Sequence, residues 1–282
     1  MNDTTSYAGF ETTLVDPGIL TVTFNRPDSL NASTVAMKRD FIEVLTQAQM
    51  DDGVRIIVFT GQGKAFWAGD DLKSYANPDF DQAAMPAISG GHHNEIGTYN
   101  ALRTISQAVN VAVRNLDKIT IAAINGFAIQ TGFSMALACD FRVASRSAKM
   151  GSATLRFALL PDEGGQYLLV QHMGVAKTMD FLMRKRIVSA DEARDLGLVH
   201  EVVEDDELVA HTMALATELA TGPQIAMRML KRSIYQAGEL TWSQSLDEIA
   251  AKTAITDHLP DAKEGGRSFV EKREPAFNDW LA

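Results

Sequence analysis

The sequence contains a single cysteine, Cys139, in 282 residues, which excludes an internal disulfide framework and a thiolate metal cluster. Basic side chains are in the minority: 26 Lys and Arg stand against 36 Asp and Glu, for a net charge of −10. A protein that holds a nucleic-acid backbone usually shows the opposite balance. No apolar run approaches the ~20 residues that span a bilayer. Residues 1–10 lack the basic-then-apolar pattern of a secretory signal. We therefore expect a soluble, cytoplasmic protein.

Strand and helix patterns alternate through the first half of the chain. Alternation with period two predicts a strand at Ile19–Phe24, and apolar runs predict strands at residues 54–60 and Ile119–Ile124. Ser33 is interpreted as the N-cap of a helix whose apolar face continues to Ala48. Strands separated by helical segments predict parallel pairing with helices packed outside. The fold class is therefore α/β, and 46% hydrophobic residues are enough for a substantial core.

The second half has a different pattern. Beyond Gly164 the strand signals stop, and helical patterns cover residues 208–221, 223–237 and 242–256. We predict an α/β core over residues 1–200 and a helical C-terminal region over residues 201–282.

Residues 74–97 hold prolines and glycines without periodicity, which predicts a long surface loop of functional interest. The loop contains two adjacent histidines, His92 and His93, which either line a pocket or lie in solvent. Since the sequence has no HExxH or CxxC pattern, we expect no metal site.

Two glycine-containing turns follow predicted strands and can expose backbone N–H groups. The first covers residues 63–72, and the second runs from a buried strand at 122 into a helix near Gly132. Free N–H groups at such turns suit an oxygen that becomes negative during a reaction. Two simpler interpretations stay open: Asp70 and Asp71 cap a helix, and the second turn is a packing site that needs small residues.

A third segment, residues 159–166, places the adjacent carboxylates Asp162 and Glu163 between an apolar run and a glycine pair. A carboxyl group at the edge of an apolar pocket has a raised pKa, which suits proton transfer. The alternative is that both acids complement the dipole of the following helix. Because neighbours in sequence rarely face the same way, we expect one of the two to point inward.

Taken in order, these segments resemble the crotonase superfamily, the enoyl-CoA hydratase/isomerase family, from about residue 20 to residue 277. Further stretches that carry the resemblance are residues 24–27, 30–32, 193–203 and 261–273. The resemblance implies a core of repeated ββα units and a helical C-terminal region that forms homotrimers, often stacked as hexamers. It also implies an acyl-CoA substrate, with coenzyme A as part of that substrate and no further cofactor.

The resemblance assigns two backbone N–H groups, those of Asp70 and Thr131, to an oxyanion hole that holds a thioester enolate. The family usually has three glycines where this chain has Gln130, Thr131 and Gly132, so the added side chains must shape the pocket. The carboxylate of Asp70 would oppose a developing anion unless it points away.

The two glutamates that activate water in hydratases of the family correspond here to Ser134 and Thr154. Hydroxyl groups stay protonated near pH 7 without an activating partner, so the hydratase mechanism is disfavoured. Asp162 lies where the family's double-bond isomerases carry a catalytic aspartate. The resulting hypothesis is an enoyl-CoA isomerase in which Asp162 removes and returns a proton.

Two other functions stay open. Some relatives hydrolyse carbon–carbon bonds of cyclic diketones, and Glu163 would then supply the acid, with a cyclic or bulky ketone or acyl-CoA as substrate. A non-catalytic acyl-CoA binding protein is the third class, because both hydratase glutamates are missing.

The resemblance also implies contacts with the acyl group and with CoA. Phe269 resembles the aromatic residue that closes over the acyl chain, and Lys272 would contact the nucleotide phosphate, in the family sometimes from a neighbouring subunit. Phe66 and Trp67 are interpreted either as walls of the acyl pocket or as residues of the apolar core. Lys272 is interpreted either as the phosphate contact or as a solvated surface lysine. The residues assigned to substrate or CoA are Arg26, Ala32, Ala65, Phe66, Trp67, Ala68, Gly69, Gly132, Phe269 and Lys272.

Overall fold

Two β-sheets form the centre of the computed structural model, which describes residues 4–73 and 94–279. The strands are β1 (Thr4–Tyr7), β2 (Phe10–Val15), β3 (Ile19–Phe24), β4 (Ile56–Gly61), β5 (Ala65–Trp67), β6 (Ile119–Ile124), β7 (Phe127–Ile129), β8 (Phe141–Ser145), β9 (Lys149–Gly151), β10 (Ile187–Ser189) and β11 (Glu201–Val203). The α-helices are α1 (Val35–Met50), α2 (Glu95–Ala101), α3 (Gln107–Asn115), α4 (Thr131–Ala138), α5 (Gly165–Met183), α6 (Ala190–Asp195), α7 (Leu208–Thr221), α8 (Gln224–Ala237), α9 (Trp242–Thr256) and α10 (Pro260–Glu271).

The larger sheet has seven strands in the order β1-β2-β3-β4-β6-β8-β11. The first three strands pair antiparallel, and the strands from β3 onward pair parallel. Every residue of β6 is buried, as expected for a parallel strand that is covered on both faces. The predicted strands at β3 and β6 are confirmed, and each pairs parallel with β4, which lies between them.

The smaller sheet has the order β10-β9-β7-β5, and its strands β5, β7 and β9 run parallel. The chain passes from a long strand of the large sheet into a short strand of the small one three times: β4 to β5, β6 to β7, and β8 to β9. Because β5 and β7 are parallel neighbours, the turns that follow them lie at the same edge of the small sheet. The two glycine-containing turns therefore end side by side.

The core lies on both faces of the large sheet. One cluster packs α1, α3, α4 and α5 against the sheet and includes the aromatic rings of Phe24, Phe41 and Trp67, which contact each other at tilted or edge-to-face angles. A second cluster on the other face joins Leu208 and Ala216 of α7 to strand side chains. No helix within the described residues is both long and apolar enough to cross a membrane.

Several details differ from the sequence predictions. Thr34, not Ser33, caps α1, because the Ser33 hydroxyl donates to Asp70 Oδ1 instead. The strands β10 and β11 were not predicted: each is three residues long, too short to show a period. Strand β11 also extends the large sheet past residue 200. Helix α2 begins within the segment predicted as a loop, capped by Asn94, whereas His92 and His93 lie outside the described residues.

Candidate active site

The turns after β5 and β7 pack against each other at backbone distance. A Cβ atom built on Gly132 would lie 2.0 Å from the carbonyl oxygen of Trp67, and one built on Gly69 would lie 3.0 Å from Gln130 Cβ. Gly69 also has a φ of +97°, a conformation that residues with a Cβ rarely adopt. Both glycines are therefore required for the close approach of the two turns.

The backbone N–H groups of Asp70 and Thr131 are free for a ligand. Ser33 donates to the carbonyl of Gly69 and accepts from the N–H of Asp71, so the N–H of Asp70 between them points the other way. Thr131 is the first residue of α4, where an N–H has no intrahelical acceptor. Within the described part of the chain, neither group donates to a protein acceptor. Internal hydrogen bonding thus leaves both predicted oxyanion-hole donors available.

The Asp70 carboxylate, which the sequence analysis identified as unfavourable beside an anion, is held by a buried cation. Lys38 Nζ of α1 lies 2.8 Å from Asp70 Oδ1, and the lysine side chain is 5% exposed. The Ser33 hydroxyl donates to the same oxygen over 2.9 Å. The ion pair offsets the negative charge and fixes the carboxylate on the side of α1.

Of the two adjacent acids, Glu163 is the one that points inward. It is 4% exposed, its Oε1 lies 2.7 Å from Thr131 Oγ1, and its Oε2 accepts from Gln130 Nε2 over 3.1 Å. Asp162 is half-buried beside it. The side chains that replace two of the family's three glycines therefore bind the buried glutamate.

Both carboxyl groups have raised pKa values. Burial raises the pKa of Glu163 to about 7, and the negative charges of Asp162 and Asp70 act in the same direction, while Thr131 and Lys38 lower it. Burial also raises the pKa of Asp162, against a hydrogen bond with Glu163 that lowers it. A carboxyl group that titrates nearer neutral pH is better suited to moving a proton.

Neither residue at the expected hydratase positions, Ser134 or Thr154, carries a carboxylate. Ser134 is buried in α4, and a Cβ built on Gly165 at the start of α5 would lie 2.4 Å from its Oγ. Thr154 contacts Ser152, whose hydroxyl donates to Gln130 Oε1 over 3.0 Å. Thr154 thus supports the Gln130 side chain through Ser152, and neither position supplies a carboxylate base.

Helix α3 holds the loop that carries Asp162 and Glu163, a role that the sequence analysis missed. Gln107 Nε2 donates to the carbonyl of Asp162 over 2.9 Å, and Asn110 Nδ2 donates to that of Glu163 over 2.7 Å. The two amides are three residues apart and share one helix face. A buried asparagine on an amphipathic helix was the available signal, but its partner could not be identified without the fold.

Replacing Asn110 by Ala is expected to lower the free energy of unfolding by about 1 kcal/mol, because the buried Glu163 carbonyl loses its donor. The loop would then hold its carboxyl groups less firmly, so kcat should fall about 10-fold with little change in KM. Val111→Ala on the same helix is the control, since Val111 is 54% exposed. Thermal unfolding and steady-state kinetics measure both effects; equal kinetics for the two variants would contradict the positioning role.

The residues expected to bind substrate or CoA are only partly brought together. Arg26 is engaged by the chain itself: it donates to the carbonyl of Ala32 in its own loop and forms an ion pair at 3.0 Å with Asp71 in the turn after β5. The side chains of Phe66 and Trp67 are fully buried in the core, as the packing interpretation expects. Both rings pack against the ring of Phe24.

The remaining expected contacts lie on backbone or on the C-terminal helices. Ala65 is buried in β5, and the Ala68 N–H donates to the Leu30 carbonyl over 3.1 Å. Phe269 is 85% exposed near the end of α10, and Lys272 is exposed just after it. Within the described residues, neither side chain is covered by the rest of the chain.

Comparison with known proteins gives a consistent result. A family model described as enoyl-CoA hydratase/isomerase matches residues 15–280. The chain is 32% identical over 266 residues to 1,2-epoxyphenylacetyl-CoA isomerase of Escherichia coli, covering 93% of this chain and 96% of that protein. It is 32% identical to a probable enoyl-CoA hydratase of Rhizobium meliloti, covering 95% of this chain and 98% of that protein. The crystal structure of an enoyl-CoA hydratase from Bacillus anthracis superposes with a TM-score of 0.86 at 30% identity, covering 96% of this chain and 99% of that one.

Proposed function

The chain belongs to the enoyl-CoA hydratase/isomerase family, the crotonase superfamily, and from this premise we propose that it shifts the double bond of an enoyl-CoA thioester by proton transfer. One observation carries the proposal: two free N–H groups on adjacent turns adjoin a carboxyl pair with raised pKa values. Since relatives are named both isomerase and hydratase, the choice between these activities depends on the residues of the site.

The reaction requires only one base. The ionised Asp162 removes a proton from the acyl chain, and the electron pair of the broken C–H bond moves into the thioester to form an enolate. The N–H groups of Asp70 and Thr131 stabilise the enolate oxygen, and each such donor contributes about 10²–10³ in rate. Asp162, now protonated, returns the proton at a different carbon and the thioester carbonyl re-forms. No atom is gained or lost.

Hydration would need a base that holds a water molecule on the other side of the substrate. The positions expected to supply it carry Ser134 and Thr154, and Ser134 is packed against Gly165 of α5. This packing supports isomerisation over hydration.

The buried Glu163 favours one second candidate. A hydrolase needs an acid or base for water, and Glu163 faces the Thr131 turn with a pKa raised to about 7. The candidate reaction is hydrolysis of a carbon–carbon bond or a thioester in a cyclic or bulky ketone or acyl-CoA.

Assembly into homotrimers, alone or stacked as hexamers, is the second part of the proposal. Exposed apolar side chains on the C-terminal helices support it: Trp242, Leu246, Ile255, Phe269 and Val270. In such an assembly Phe269 and Lys272 would be placed to contact the acyl chain and the CoA phosphate bound to a neighbouring subunit.

The test is incubation of the purified protein with a 3-enoyl-CoA in deuterated buffer. We expect a 2-enoyl-CoA product that carries solvent deuterium on the acyl chain, because the proton on Asp162 exchanges with solvent during the enolate's lifetime. NMR and mass spectrometry measure position and amount. A 3-hydroxyacyl-CoA product would contradict isomerisation, a shortened or hydrolysed product would support the second candidate, and binding without turnover would leave only an acyl-CoA binding protein.

A further inference from the structure

The hydroxyl of Thr131 lies between two carboxyl groups. Thr131 Oγ1 is 2.7 Å from Glu163 Oε1 and 3.2 Å from Asp70 Oδ1. A hydroxyl has one hydrogen and can donate to only one of them. If both carboxyls were ionised, one of these contacts would bring two lone-pair oxygens together without a hydrogen. The arrangement therefore calls for one further proton on this cluster.

The surroundings of the two carboxyls decide which of them holds that proton. Asp70 has the ammonium group of Lys38 at 2.8 Å and the Ser33 hydroxyl at 2.9 Å on the same oxygen. Glu163 is 4% exposed and, among the described residues, forms no ion pair with Lys, Arg or His. Its second oxygen accepts from the neutral Gln130 amide. Burial without a cation favours the uncharged form, so the further proton belongs to Glu163.

We propose that the Asp70 side chain, held in place by Lys38, is a positioning residue: from the far side of Thr131 its negative charge keeps Glu163 protonated while its neighbour Asp162 is ionised. Two adjacent carboxyls thereby receive different roles, one neutral and hydrogen-bonded inside the site, the other free to accept a proton. The inference rests on the proposed function only in treating Asp162 as the base.

The charged groups that face Glu163 come from three elements: Asp162 from its own loop, Asp70 from the turn after β5, and Lys38 from α1. The two negative charges raise its pKa and the lysine lowers it. Asp70→Asn removes a raising charge and frees Lys38, so the pKa of Glu163 must fall. Lys38→Met removes the lowering charge, so the pKa must rise.

The test is a carboxyl ¹³C NMR titration of the full-length, ligand-free protein labelled at glutamate, with the Glu163 signal identified by its loss in Glu163→Gln. We expect a wild-type midpoint near neutral pH, a downward move of about 1 pH unit in Asp70→Asn, and an upward move in Lys38→Met that Lys38→Arg does not show. Ser33→Ala is the control, because it removes a donor to the same Asp70 oxygen without changing any charge.

A wild-type midpoint near the ordinary glutamate value, or one that Asp70→Asn leaves unchanged, would overturn the inference. So would an equal move in Ser33→Ala, since the effect would then come from geometry and not from charge. The titration uses no substrate. If Glu163 titrates as proposed but the protein shows no isomerase activity, the proposed function alone is refuted. If the protein is an isomerase but Glu163 titrates at the ordinary glutamate value, this inference alone is refuted.

Discussion

Asp162→Asn is expected to lower kcat for double-bond migration by about 10³-fold, within the range that general acid–base groups contribute. An amide cannot accept the proton, whereas the two N–H donors and the contacts of Glu163 with Thr131 and Gln130 are untouched. KM should change little, because the side chain is half-buried at the edge of the site and its backbone carbonyl keeps the bond from Gln107. Steady-state kinetics with a 3-enoyl-CoA measure both constants.

The variant should fold normally. Burial raises the pKa of Asp162, so its ionised form is less favourable in the folded state than in the unfolded chain. The free energy of unfolding therefore falls as the pH rises above the pKa that Asp162 has in the unfolded chain. A neutral amide removes that cost, so thermal unfolding at pH 7 should occur at the same temperature or higher. Glu163→Gln is the matched comparison: glutamine resembles the protonated acid and should retain more activity. Full activity in Asp162→Asn would refute the assignment of the base.

Gly132→Ala is expected to lower the free energy of unfolding by about 3 kcal/mol or more, the upper end for an added methyl group in a packed interior. The new Cβ would lie 2.0 Å from the Trp67 carbonyl and 2.6 Å from Trp67 Cβ. Neither atom can move away easily, since one belongs to the backbone and the other to a fully buried side chain. The turns after β5 and β7 must separate, and the N–H groups of Asp70 and Thr131 separate with them.

Gly266→Ala is the control for that experiment. Gly266 lies in α10 with no atom within 4 Å of an added Cβ, so alanine should raise helix stability by about 0.5–1 kcal/mol. Chemical denaturation followed by circular dichroism measures both variants, and turnover of an enoyl-CoA measures the site. If Gly132→Ala unfolded like the wild-type protein, the close packing of the two turns would be incorrect.

The spacing of apolar residues made most of the fold predictable from the sequence. Strand β3 alternates with period two and strand β6 is a buried, largely apolar run, both with the predicted bounds, and α7 and α9 show clear helical spacing. The failures have local causes. Strands β10 and β11 are too short for a period to be detected, and Ser33 has a suitable residue type for an N-cap but is used by Asp70.

The site was predictable where its chemistry is contiguous in sequence. The segments around Asp70, Thr131 and Asp162 could be identified from glycines next to strands and from paired acids. What could not be predicted depends on tertiary contacts: the ion pair between Asp70 and Lys38 joins two elements, and the amides of α3 reach the loop from more than fifty positions away. A residue type indicates that a side chain can donate, but only the fold determines to which acceptor.

The contact between Ser134 and Gly165 also limits how this chain could diverge in evolution. Restoring a glutamate at 134 would push its longer side chain against the first turn of α5, whose glycine already lies close to the serine oxygen. A gain of water-adding activity would therefore require α5 to shift before the new acid became useful, and that helix begins directly after the loop of Asp162 and Glu163. Any shift of α5 that made room for a glutamate at 134 would therefore also move the loop that carries both acids.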